Sequence, residues 1–170
     1  KWFIFDGTND KINITNSSSA PGTGDFAMTS WVRFHADATA FNWDTRSGTG
    51  QTQDGLALFF YGDNNNEWQV WTHGASRIAG ANNSVSLNTW YHTVVTRVSG
   101  TTTLYVNGTS IGSFSDSYNY SNDDISMGTN VANAYYLDGD IATLRAYKGV
   151  GLSAADATAQ YNAQKSKFGY

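Results

Sequence analysis

The chain has 170 residues, enough for one ordinary domain, and no cysteine, which excludes disulfide frameworks, thiolate-ligated zinc and thiol catalysis. Its formal charge is −4, and basic residues such as Arg33, Arg46, Arg77, Arg97 and Arg145 are scattered singly, so no stripe exists to neutralise a nucleic-acid backbone. No apolar run approaches the roughly 18 residues of a membrane span, and the chain opens at Lys1 directly on a strand-like segment, which reads as a piece of something longer.

Period-two alternation predicts strands at WFIF (2–5), KINI (11–14), FAMTSWVRF (26–34), GLALFFY (55–61) and EWQVWTH (67–73). Further strands follow at WYHTVVTRV (90–98), TTLYVN (102–107), SIGSF (110–114), DISMG (124–128) and YLDGDIATLRAY (136–147). Gly-, Asn-, Asp- and Ser-rich turn clusters separate them, and strands this short and regularly spaced imply a sandwich or barrel of antiparallel sheets. On EWQVWTH the alternation sets Trp68 and Val70 on one face and Gln69, Trp71 and His73 on the other, so Trp71 is expected to point away from the core. Trp43 falls in a loop-like NWDTRSGTG stretch beside Asp44 and Arg46, whereas Trp31 and Trp90 read as core residues. Asn107-Gly108 joins two strands as a two-residue turn of type I′, which needs positive φ at both positions. The one helical segment is SAADATAQYNAQK, capped by Ser153 with Asp156 three residues on, and with Ala157 and Tyr161 on one face.

Taken as a set, the segments are familiar. Trp90-Tyr91-His92 followed by Leu104-Tyr105-Val106-Asn107-Gly108, the opening Phe5-Asp6-Gly7 to Asp10, and the closing Gly139-Asp140-Ile141 with Leu144-Arg145-Ala146-Tyr147 resemble the laminin G-like, concanavalin A-like jelly-roll domains. The resemblance spans nearly the whole chain. It implies an all-β fold, an antiparallel β-sandwich of jelly-roll type with one short C-terminal helix, as a single domain over residues 1–170. The ending YNAQKSKFGY is similar to the ends of such domains in phage virion proteins, which implies a virion-surface or extracellular setting with other virion proteins as partners. Ala142-Thr143 stands where the family commonly has Asp-Glu, a position tied to a structural calcium.

The same superfold houses glycanases that work with two carboxyl groups. Glu67 is the sole glutamate and the paired-glutamate strand motif is absent; an Asp-based pair, for example Asp138 with Asp140, would share a strand face by its spacing. The expectation is a non-enzymatic module. His35, His73 and His92 fall on different strands without metal-ligand spacing, and His92 reads as a core histidine. Calcium would take hard oxygen ligands, for which Asp6 with Asp10, Asp138 with Asp140, and the Asp63-Asn64-Asn65-Asn66 turn are candidates; the same residues also serve turns. The first two groups are expected to meet, because opening and closing strands are neighbours in the resembled fold. Sugar rings stack on Trp and Tyr while polar groups hold their hydroxyls, so Trp43, Asp44, Arg46, Trp71, Tyr118, Tyr120 and Tyr135 are the candidate ligand-binding residues. Glycans or a cell-surface polysaccharide are the expected partners. The rival expectation is a structural virion decoration or cement module with protein contacts only.

Overall fold

The computed structural model describes residues 1–15, 18–48, 54–63, 65–122 and 124–170; Asn64, a candidate calcium ligand, lies outside them. Among the described residues the strands are β1 (Phe3–Asp6), β2 (Ile12–Ile14), β3 (Phe26–Phe34), β4 (Ala40–Asp44), β5 (Ala57–Tyr61) and β6 (Glu67–Thr72). They continue as β7 (Ala75–Ala79), β8 (Trp90–Val98), β9 (Thr101–Val106), β10 (Thr109–Ser115), β11 (Ile125–Met127) and β12 (Asp138–Lys148), before helix α1 (Ala154–Gln164) and a 3-10 turn (Lys165–Phe168). One six-stranded sheet runs β1-β12-β3-β8-β9-β10 and the other β2-β11-β4-β5-β6-β7, with antiparallel neighbours throughout. This is the β-sandwich the alternation implies, and the opening and closing strands are neighbours, with Phe5 opposite Gly139.

The core lies between the sheets. Alternate residues of β3 (Phe26, Met28, Val32, Phe34) meet Leu58 and Phe60 of β5 and Trp68 and Val70 of β6, all buried. Ser30, on the same inward face, bonds Thr93 Oγ1 at 2.6 Å and accepts from Asn42 Nδ2 at 2.7 Å, which joins three interior polar side chains although Asn42 Oδ1 has no partner among the described residues.

Two strands, β4 and β7, fall outside those that alternation predicts. β7 is small and polar, burying only Ile78. β4 carries a bulge: Phe41 pairs with Phe59 and Trp43 with Leu58, leaving Asn42 as the extra residue. A bulge lets two successive side chains take the same face. Asn42 and Trp43 therefore both enter the core while Phe41 faces outward, and Trp43, expected in a loop, is a fully buried strand residue.

The hairpin at Asn107-Gly108 has the positive φ values of the expected turn, 51° and 79°, and it also docks the C-terminal segment. A Cβ on Gly108 would lie 3.1 Å from Thr158 Cα, so the turn lets α1 approach, and Thr158 Oγ1 donates to its carbonyl at 3.0 Å. Ser153 and Asp156 form the reciprocal capping box. Helix and 3-10 turn cover the outer face of the first sheet, where Trp31 stacks on Phe168 at 4.0 Å. Trp31 and Trp90 are thus buried, as expected, but beneath the C-terminal segment and not between the sheets.

His92 is in that layer, 5.2 Å from the Trp31 ring. Burial, aided by the Arg145 charge, lowers its pKa to about 4. The folded state therefore resists a proton that the unfolded chain takes up near pH 6.5. This stability is complete above that value and is lost as pH falls towards 4, by about 3 kcal/mol in all. Urea unfolding between pH 7.5 and 4.5 is expected to show that slope in the native chain and a shallower one in His92→Gln.

Candidate functional site

On the outer face of the second sheet, away from α1, lies a groove of about 670 Å³. Its floor is set by register. Phe41, turned outward by the β4 bulge, stacks on its cross-strand partner Phe59 at 4.7 Å and 16°, and Phe59 meets Trp71 of β6 at 5.9 Å. Tyr135 continues the row, 6.1 Å from Phe41. Phe41 and Phe59 are almost closed off, Trp71 is half-buried, and Tyr135 and Tyr61 stand at the rim with 58% and 38% of their surface exposed. Hydrogen-bonding groups of Thr39, Gln69, Ser76 and Asn130 surround these rings.

Arg46 spans the groove's end, its guanidinium 5.4 Å from the Phe41 ring and 5.9 Å from Trp71. Asp44 holds it in a fork, with Nε to Oδ1 at 2.9 Å and Nη2 to Oδ2 at 2.7 Å, and accepts from the Val131 amide at 3.1 Å. Such a pair fixes geometry while cancelling charge. Beyond Arg46 a polar recess of about 320 Å³ opens, lined by Lys11, Asn13 and Asn133 among others.

The structure therefore gathers Trp71, Arg46 and Tyr135 into one groove, with Asp44 as the buried support of Arg46. Three expectations need correction. Trp43 cannot meet a ligand from its place between the sheets, because the bulge turns it inward. Asp44 has no exposed surface and is committed to Arg46. Tyr120 is 2% exposed, its hydroxyl donating to Asp116 at 3.0 Å and its ring over Arg97. Tyr118 lies elsewhere, flat on His73 at 3.8 Å with its hydroxyl accepting from Arg77. Phe41, Phe59 and Tyr61 belong to the groove as well, as does Gln69 on the outward face of β6 with Trp71. The alternation of GLALFFY, which sets Phe59 opposite Leu58 and Phe60, was the available signal.

Four of the carboxylates that are candidates for calcium, Asp6, Asp10, Asp138 and Asp140, have partners in the structure. Asp6 Oδ1 accepts from the Thr8 amide and Asp10 Oδ2 from the Asp6 amide, as turn residues do. Asp6 is opposite Asp138 across β1 and β12. Asp138 and Asp140 share a face, as their spacing implies, but His35 bridges them at 3.5 and 2.9 Å and Arg33 pairs with Asp140 at 2.7 Å. Among the described residues no group of three or more His, Asp or Glu side chains is placed to hold a metal ion, and Asp140 is already paired with the Arg33 guanidinium.

Residues 6–157 match a laminin G-type family model described as the Concanavalin A-like lectin/glucanases superfamily. No curated protein matches the chain. Among solved structures it is similar to a native heptameric SAP-like pentraxin from Limulus polyphemus (TM-score 0.67, 13% identity), covering 91% of this chain and 78% of that one. It is also similar to the binding domain of botulinum neurotoxin DC in complex with SialylT (TM-score 0.68, 13% identity, 94% and 41% covered). A third is Trypanosoma rangeli sialidase in complex with sialic acid (0.65, 17%, 84% and 23%). The chain thus spans less than half of the last two, and at such identities the likeness is one of fold.

Proposed function

Because the chain belongs to the concanavalin A-like lectin/glucanases superfamily, we propose that it is a recognition module that binds a carbohydrate in the groove of its second sheet without cleaving it. The observation that carries this reading is the row Tyr135, Phe41, Phe59, Trp71 bordered by hydrogen-bonding side chains. An apolar strip with polar edges matches the two faces of a pyranose ring, and an elongated strip suits a linear oligosaccharide better than a single sugar. Binding without cleavage is favoured by the carboxylates: Asp63 is the one acidic side chain among the groove's described lining residues, whereas glycoside hydrolysis by the usual route needs two. Glu67 is 7% exposed and accepts from Gln69 Nε2 at 2.6 Å, a holding role for that amide. The named carbohydrate complexes of the neurotoxin domain and the sialidase agree with this reading.

A glycan array probed with the purified domain tests it. At least one neutral oligosaccharide is expected to bind, Trp71→Ala is expected to weaken that binding tenfold or more, about 1.4 kcal/mol, and chelation of calcium is expected to leave it unchanged. Undiminished binding by Trp71→Ala would remove the groove as the site. The proposed setting, a virion or other extracellular surface, is supported by the likeness of residues 161–170 to phage virion domain ends. The rival reading, a decoration module with protein contacts only, is favoured by one observation: edge strand β1 exposes Phe3 and Ile4 by 55% and 70%. Light scattering separates the two, since that module would self-associate or bind virion protein while leaving the array blank.

A further inference from the structure

On the opposite outer face, between β1, β12 and the 3-10 turn, lies a second cleft of about 250 Å³ that the groove's chemistry does not use. It has a local cause in β12. A bulge between Ile141 and Thr143, which pairs with the outward-facing Trp31, makes Ala142 the extra residue, so two small side chains floor this stretch of the sheet. The hollow above them is bounded by two rings. Trp2 is 48% exposed yet fixed edge-on against Trp90 at 5.7 Å, with the Arg33 guanidinium 6.0 Å from its ring. Phe168 is held by its stack on Trp31.

The charge around this hollow has one sign. Lys1, Arg145 and Lys167 line it, no described aspartate or glutamate does, and none of the three is in an ion pair with a described residue. In a chain of net charge −4, three uncompensated cations at one small cleft are a local inversion. The floor adds a polar group in need of a partner, for Thr143 Oγ1 is buried without a hydrogen bond among the described residues. Burial first, and the Arg145 charge second, lower the pKa of His92 in the layer beneath.

We propose that this cleft is a second binding site, for an acidic saccharide: the sugar ring lies against Trp2, and its carboxylate or sulfate is held by Lys1, Arg145 and Lys167. An exposed indole face recognises a ring and not a bare anion, and the cations select charge. The site is independent of the groove, from which it is separated by the thickness of the sandwich.

Polygalacturonate and dextran sulfate are the probes, titrated into the whole domain at 20 and 200 mM salt. The expected result is binding of at least one probe that weakens with salt. Arg145→Gln/Lys167→Gln is expected to lower affinity tenfold or more, and Trp2→Ala to lower it while the domain's unfolding midpoint stays in place. Trp71→Ala is expected to leave it intact, which keeps this site's failure distinct from the groove's. Failure of both probes to bind, or equal affinity in the Arg145/Lys167 double variant, overturns the proposal. So does displacement by inorganic phosphate at concentrations matching galacturonic acid, because ring recognition would then be absent.

Discussion

Replacing Asp116 with alanine is expected to cost the domain about 3–5 kcal/mol, the range for removing one partner of a buried ion pair. Asp116 and Arg97 are both fully enclosed at one end of the sandwich. The carboxylate accepts from Thr102 Oγ1 at 2.5 Å, from the Tyr120 hydroxyl at 3.0 Å and from the Tyr118 amide at 3.1 Å, besides facing Arg97 Nη1 at 3.4 Å. Burial, reinforced by the Asp116 charge, pushes the Tyr120 phenol well above its ordinary value, so it stays a donor. Arg97 in turn donates to the carbonyls of Gly22, Gly24 and Tyr118 and sits over the rings of Phe26 and Tyr120. Without Asp116 the guanidinium keeps those neutral acceptors but loses its counter-charge, and two side-chain donors are orphaned with it. Asp116→Asn, which keeps an acceptor, is expected to cost less than Asp116→Ala. Urea denaturation measures both; a loss below 1 kcal/mol in the alanine variant would mean that water reaches Arg97.

The second large effect is expected at Trp31. Its ring has no exposed surface, stacks on Phe168, faces Tyr161 at 6.0 Å, and donates from Nε1 to Gln164 Oε1 at 3.1 Å. Trp31→Ala deletes the platform on which the C-terminal segment rests, at a cost of about 3–5 kcal/mol by comparison with other buried aromatic truncations. Because α1 buries only Ala157 and depends on aromatic contacts and caps, the loss is expected to be local first. Limited proteolysis should cut residues 154–170 from the variant before the sheets unfold. Trp31→Phe, which keeps a ring to stack, is expected to restore much of the protection. Cleavage at the native rate would show that the Asn107-Gly108 turn, through Thr158 and the Asn107–Tyr170 contact, anchors the segment by itself.

Much of this architecture can be read in the chain because alternation reports directly on which face is buried. Trp68 and Val70 inward, Gln69 and Trp71 outward, follow from EWQVWTH alone, and the hairpin at Asn107-Gly108 follows from two residues that tolerate positive φ. The site is less legible. Periodicity cannot reveal a bulge, which depends on pairing with residues of another strand, here Phe59 and Leu58 of β5; hence Trp43 reads as a loop residue while Phe41, two places earlier, carries no mark. Tyr118 and Tyr120 share one Asn-rich stretch, yet Tyr120 is drawn inside by the buried Arg97 and Asp116, a contact between distant segments with no local mark. Arg46 and Asp44 are close in sequence, but the aromatic rings that give their pairing a purpose come from β4, β5 and β6.

The bulge in β4 has a consequence for how such a surface changes over generations. Asn42 is the extra residue that sets Phe41 outward and Trp43 inward. Deleting that single codon would make Phe41 and Trp43 neighbours, and strict alternation would keep them on opposite faces, so the groove and the interior would each keep their ring while the Asn42 bond to Ser30 was lost. Loss of that residue is therefore expected to spare the groove, and variants that shift ligand preference on this face are expected to arise by replacement at Trp71 or Tyr135.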